Sequence, residues 1–178
     1  MKRIYLAGPD VFFHAAALHF DELEARCAAH GLQGVRPSDG GLSQGGHLQN
    51  AGGGGDDIAE RIYRSNLELI RDCDALLANL MPFRNQLEPD SGTVFELGMA
   101  VALGKPVAGF VAGSDQRYEH KVAHHCGLQR APDGSAWDQI FGFMIEEFGQ
   151  PMNLMLARST PLFETFDEAL ADLARRLA

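Results

Sequence analysis

What this 178-residue chain lacks narrows its function before any motif is read. Basic charge is scarce: 15 Lys and Arg stand against 24 Asp and Glu, a formal charge of −9. A nucleic-acid or anionic-membrane surface needs the opposite balance, so neither partner is expected. No apolar run approaches the ~20 residues that span a bilayer. The opening Met1-Lys2-Arg3-Ile4-Tyr5-Leu6-Ala7-Gly8-Pro9 has too short an apolar stretch, broken too soon by Gly-Pro, for a signal peptide. Cysteine is limited to Cys27, Cys73 and Cys126, with no C-x-x-C, which points to reduced thiols in a cytoplasmic protein.

Familiar catalytic signatures are missing too. The run Gly52–Gly55 has neither the G-x-G-x-x-G spacing nor the Lys-Ser/Thr of a phosphate-binding loop. Ser38, Ser114 and Ser135 lie in Gly/Asp turns, not in the strand–G-x-S-x-G–helix setting of a nucleophile elbow. His120, His124, His125 and Cys126 lack the H-E-x-x-H order and have polar flanks. They fit a solvated surface better than a metal site, and no metal or other cofactor is expected.

What is present is an ordinary α/β pattern. With 46% hydrophobic residues, a single domain over residues 1–178 can bury a real core. Strands are predicted over Arg3–Ala7, Gln33–Arg36, Ala75–Leu80 and Val107–Val111, and helices over Ala15–His30, Asp56–Asp72, Gly92–Leu103 and Phe166–Leu177. The second helix carries Ile58, Ile62, Leu69 and Ile70 as its apolar stripe; the last turns Leu170, Leu173 and Leu177 inward. Residues Ser114–Ser135 are polar and expected to be loop-rich, and Ala136–Phe148 is expected to be helical. The segment 39–55 holds eight glycines and no apolar periodicity, as a lid or loop would. The alternation implies a parallel sheet flanked by helices, of flavodoxin or Rossmann type.

The most informative stretch is Pro89-Asp90-Ser91-Gly92-Thr93-Val94-Phe95-Glu96-Leu97-Gly98, just after the third strand. A strand, a short loop and a helix start would place Asp90 and Glu96 at the C-terminal edge of the sheet, where open α/β folds build their sites. Asp90 or Ser91 would cap the helix, and the helix dipole would favour an ionised Glu96. The same pattern also fits a capped helix with an ordinary Glu. Small neighbours (Gly98, Ala100, Ala102) favour a lined cleft. Tyr5 ends the first strand and Asp10, Phe12 and Phe13 follow it, where a ligand would meet that strand's edge. The run Gly149–Leu156 is too apolar for a solvated loop and belongs either to the core or to an interface between subunits.

These residues resemble nucleoside 2-deoxyribosyltransferases. The likeness rests on Tyr5-Leu6-Ala7-Gly8-Pro9, Asn66-Leu67 with Ile70, Cys73-Asp74-Ala75, Asn79-Leu80-x-Pro82-Phe83-Arg84, Glu88–Gly98, Ala102–Pro106 and Asn153–Leu156. It implies a flavodoxin-like fold in a homo-oligomer (a dimer or higher), acting on 2′-deoxynucleosides and free nucleobases in nucleotide metabolism and purine salvage. It implies Glu96 as the nucleophile that attacks C1′, with Asp90 holding the deoxyribose and its neighbouring carboxylate. The implied substrate-binding set is Tyr5, Gly8, Asp10, Phe12, Asn66, Ser91 and Gly92, with Asn153 supplied by a neighbouring subunit. Some family members carry Asp where this chain has Asn66, and an amide cannot protonate a departing base. Three rivals stand beside this reading: a hydrolase of deoxynucleosides or their 5′-monophosphates, a phosphoribohydrolase, and a non-catalytic nucleoside sensor. The second usually has paired glycines where Asp90 and Ser91 stand here, and those carboxylate and hydroxyl groups suit a phosphate poorly.

Overall fold

A computed structural model describes residues 1–38, 55–114 and 116–178. The glycine-rich stretch expected to act as a lid lies outside the described residues, apart from Gly55. Five parallel strands form the sheet: β1 (Lys2–Ala7), β2 (Leu32–Val35), β3 (Ala75–Asn79), β4 (Val107–Phe110) and β7 (Leu162–Phe163), in the order β2-β1-β3-β4-β7. The register pairs Tyr5 with both Val35 and Leu76, and Leu77 with Ala108. β3, Ala-Leu-Leu-Ala-Asn, is buried along its whole length. That is what a central strand covered on both faces requires, and why its sequence is an apolar run without alternation.

Strand parity divides the core into two layers. Ile4, Leu6 and Leu77 point to one face, where they pack with Phe20, Leu23 and Cys27 of α1 (Ala16–Ala29) and Leu170 and Leu173 of α6 (Phe166–Leu177). Tyr5, Ala7, Leu76 and Ala78 point to the other, against Ile70 of α2 (Gly55–Asp72) and Leu97 and Ala100 of α3 (Ser91–Ala102). Each large side chain buried in this way contributes about 1.5–3 kcal/mol. α6 begins on a reciprocal cap: the Thr165 side chain accepts from the Glu168 N–H, and the Glu168 carboxylate accepts from the Thr165 N–H. α3 begins on Asp90, which accepts from the Thr93 N–H at 2.9 Å.

The region between β4 and β7 departs from the sequence expectation. α4 (Tyr118–Cys126) lies inside the stretch expected to be loop. The helix expected over Ala136–Phe148 is absent; β6 (Ala136–Asp138) pairs antiparallel with β5 (Leu128–Arg130). Buried Asp138 accepts backbone N–H bonds from Ile140 at 3.0 Å, Phe141 at 2.6 Å and Phe143 at 2.9 Å. Gly142 then takes φ 73°. A carboxylate that gathers nearby N–H groups, followed by a left-handed glycine, closes a turn and not a helix. Beyond it, α5 (Leu154–Ser159) leads into β7. The cysteines are free thiols, and no described helix is long and apolar enough to cross a membrane.

Candidate active site

From β1 the chain goes to β2 on one side, while β3 pairs with β1 on the other. The loops after β1 and β3 therefore diverge, and a crevice opens at the C-terminal edge of the sheet. It is a cavity of about 650 Å³ whose wall includes Gly8, Phe12, Asn66, Asp90, Gly92 and Glu96. Of the expected site residues these six share one wall. Tyr5 lies beneath them and touches the site through its hydroxyl.

Tyr5 is fully buried because its strand parity points it at the α2–α3 layer. Its hydroxyl donates to Glu96 Oε1 at 2.7 Å. Glu96 is half-buried, and burial pushes its carboxyl up to about 7; the Tyr5 hydrogen bond opposes this and the nearby Asp90 charge adds to it. The expectation that the helix dipole would hold Glu96 ionised is thereby corrected. Glu96 is the sixth residue of α3, past the first turn where the dipole acts strongly, and desolvation wins. The Tyr5 hydroxyl is itself pushed above its ordinary range by burial and by Glu96, so it remains a donor.

Asp90 holds the entry of α3 with Oδ2, which accepts from the Thr93 N–H at 2.9 Å and the Thr93 hydroxyl at 3.0 Å. Both bonds fall on one oxygen, and Asp90 still forms part of the cavity wall. Gly92 stands where a Cβ would come within 3.0 Å of that same oxygen. Gly8 is more constrained: a Cβ there would meet Asp10 Oδ2 at 2.1 Å and Asn79 Cβ at 2.8 Å. The Asn66 carboxamide faces the backbone of Ser38, accepting its N–H at 2.7 Å and donating to its carbonyl at 3.4 Å.

A family model described as nucleoside 2-deoxyribosyltransferase matches residues 4–155. The chain belongs to this family. An uncharacterized protein of Schizosaccharomyces pombe is 40% identical over 195 aligned residues, covering 98% of this chain and 89% of that protein. Among solved structures, the 2-desoxiribosyltransferase of Leishmania mexicana is 31% identical, with a TM-score of 0.70 and 100% of both chains covered. The 2-deoxyribosyltransferase of Bacillus psychrosaccharolyticus, 20% identical with a TM-score of 0.54, covers 97% of this chain and 90% of its own, and shares the fold. Family membership supports a glycosyl-transferring enzyme with nucleoside and nucleobase substrates.

The other three expected residues lie off this wall, Asn153 among them as expected of a residue meant for a neighbouring subunit's site. Asp10, expected at the ligand, is packed behind the wall: its Oδ1 bonds His19 Nε2 at 2.7 Å and its Oδ2 accepts from Asn79 Nδ2 at 2.9 Å. Both oxygens are committed to pinning the single 3₁₀ turn Pro9–Phe12 onto β3 and α1, which is why Asp10 is buried. Ser91 is exposed at the first position of α3, beside the wall. Asn153 is not in this chain's own cavity; it caps α5, accepting from the Met155 N–H at 3.0 Å and donating to Glu146 at 2.8 Å.

Beside the wall, Phe12 is joined by two residues to which the sequence assigns no site role, Phe83 and Arg84, and His14 lies on the wall itself. Phe12 is 59% exposed, stacked on Phe83 at 5.3 Å, and the Arg84 guanidinium lies over both rings. Arg84 holds a left-handed backbone, φ 58°, at the turn that brings it there. His14 lines the cavity from the loop before α1. No spacing in the sequence marks His14; only the fold brings it to the cavity. The Tyr5–Glu96 contact could have been anticipated from the parity of β1.

Proposed function

We propose that this protein transfers 2-deoxyribose between nucleobases by a double displacement, through a glycosyl ester on Glu96. The observation that carries this reading is Glu96 itself: half-buried on the wall of a 650 Å³ cavity, held by Tyr5 at 2.7 Å and close to Asp90. As the first base leaves C1′, oxocarbenium character develops, and the Glu96 carboxylate traps it from the opposite face of the ring. Tyr5 occupies Oε1 and so aims the carboxylate. Asp90 holds the sugar hydroxyls, and Phe12 offers its ring to the base. Gly8, Gly92 and Ser91 let the substrate approach backbone, and the Asn66 amide lines the same pocket. A second base attacks the ester carbon, and two inversions give retention.

In the same proposal, Asn153 enters the cavity of a neighbouring copy in a homo-oligomer. Support comes from the segment before it, where Phe141, Phe143 and Phe148 are 67%, 69% and 63% exposed, as is Met155 at 70% just after it. A monomer rarely leaves so many large apolar side chains in water.

The test incubates the protein with one 2′-deoxynucleoside, with and without a different free base. A new deoxynucleoside formed only when base is added, with a deoxyribosyl adduct trapped on the Glu96 peptide, is the expected result. Free deoxyribose in both tubes would make the protein a hydrolase instead. A monophosphate hydrolase has less support: among the described wall residues there is no Lys or Arg to meet a phosphate placed near Asp90 and Glu96.

A further inference from the structure

Departure of a nucleobase needs more than a nucleophile, because the base leaves as a poor anion unless a proton reaches it. Asn66 cannot supply that proton, since an amide is no acid, and its carboxamide is turned to the Ser38 backbone. Among the described residues that line the cavity, the titratable side chains are His14, Asp90 and Glu96. Glu96 is taken by the sugar carbon, and Asp90 is acceptor to Thr93 at the start of α3. One carboxylate caps α3 and the other lies within it, whereas His14 lines the cavity from the loop that follows the 3₁₀ turn after β1, on the same stretch of chain as Phe12. Phe12 and the imidazole therefore reach the cavity from one stretch of chain, and the nucleophile from another.

We infer that His14 is the general acid that protonates the departing base and the general base that deprotonates the incoming one. This rests on the transferase reading above. In the first half-reaction the C1′–N bond breaks and its electron pair goes to the base. The imidazolium N–H of His14 passes its proton to a ring nitrogen of that base, and a Glu96 oxygen forms the bond to C1′. In the second half-reaction the nitrogen of the new base attacks C1′, the ester bond returns its electron pair to Glu96, and the neutral imidazole takes the proton. Atoms and charge balance over the cycle with no other reactant. Histidine is suited to both directions because it gains and loses a proton near neutral pH.

The protonation states required are opposite ones, an ionised Glu96 and a charged His14. The rate should rise with pH as Glu96 loses its proton near 7. The other titratable groups that line the cavity among the described residues are Asp90, at the N-cap of α3, and Glu96 within it.

The experiment compares wild type, His14→Gln and Glu96→Gln on two substrates, 2′-deoxyguanosine and 7-methyl-2′-deoxyguanosine. The second carries its positive charge covalently and needs no proton to leave. In the first half-reaction, read as single-turnover release of the base, His14→Gln should be slower by roughly 10²-fold or more on 2′-deoxyguanosine while staying within a few-fold of the wild type on the methylated substrate. Glu96→Gln should be inactive on both. His14 is exposed before α1, so a thermal melt near that of the wild type is expected for its variant. Equal loss on both substrates, or no loss on either, overturns the role of His14. An active Glu96→Gln, or a wild type that exchanges no base, overturns the transferase reading and the inference with it.

Discussion

Replacing Tyr5 by Phe removes one oxygen from the site and leaves the buried ring in place. That oxygen is the donor to Glu96 at 2.7 Å, and it opposes the burial and the Asp90 charge that lift the Glu96 carboxyl to about 7. A hydrogen bond to a charged group contributes about 1.5–3 kcal/mol. At ~1.4 kcal/mol per pH unit, losing it should raise the carboxyl by about one unit or more. The ionised fraction at pH 7 would then fall from about one half to about one tenth, so kcat/KM drops about fivefold from protonation alone. The loss should nearly vanish by pH 9, where both proteins hold Glu96 ionised. The assay is base exchange across pH 5.5–9.5, fitted for the acid limb of kcat/KM. A Tyr5→Phe variant whose acid limb coincides with that of the wild type would refute the reasoning. So would a loss that is the same at every pH, which would mean that Tyr5 orients the carboxylate without tuning it.

The other predictions concern stability and assembly. Because the folded carboxyl of Glu96 lies above its ordinary value of 4.5, the stability linked to it is present at low pH and is lost as pH rises through about 7. Glu96→Gln should therefore melt like the wild type at pH 4.5 and be more stable by up to about 3 kcal/mol at pH 8.5; equal melting shifts at both pH values would contradict this. Gly8→Ala places a Cβ 2.1 Å from Asp10 Oδ2 and 2.8 Å from Asn79 Cβ, and should cost about 1–3 kcal/mol in a urea titration. Mixing inactive Glu96→Ala with inactive Asn153→Ala under subunit exchange should restore part of the activity, and a fully active monomer would exclude a shared site.

How much of this was legible in the sequence depended on how far a signal reaches along the chain. β1, β3 and α6 were legible because long apolar runs and a clean helical stripe survive any tertiary context. α4 was missed although Tyr118, Val122 and Cys126 recur at four-residue spacing, because His120, Lys121, His124 and His125 between them look like loop. β7 has two residues, too few to show any period. The segment Ala136–Phe148, expected to be helical, is rich in apolar residues. That content is mostly on the surface, Ile140 to Met144 being exposed around the Asp138 turn. Asp90 and Glu96 were legible in a local motif, whereas the fate of Asp10 was not, since its partners His19 and Asn79 come from α1 and β3.

The placement of Glu96 follows from two choices made elsewhere in the fold. The order β2-β1-β3 opens the crevice, and the parity of β1 decides which side chain lies under it. With Ile4 and Leu6 committed to α1 and α6, Tyr5 must face α3, and the parallel register with Leu76 sets its position along the sheet. A one-residue slip of β1 would turn Ile4 or Leu6 toward α3, remove the only donor to Glu96 among the described residues, and bury a tyrosine hydroxyl in the α1–α6 layer. The core and the candidate site therefore select the same register. A buried hydroxyl without a partner costs about 1–3 kcal/mol, so Glu96 also serves Tyr5. A carboxylate that is costly to bury and a hydroxyl that is costly to leave unpaired stabilise each other through Oε1, and among the described residues no hydrogen bond falls on Oε2 of Glu96.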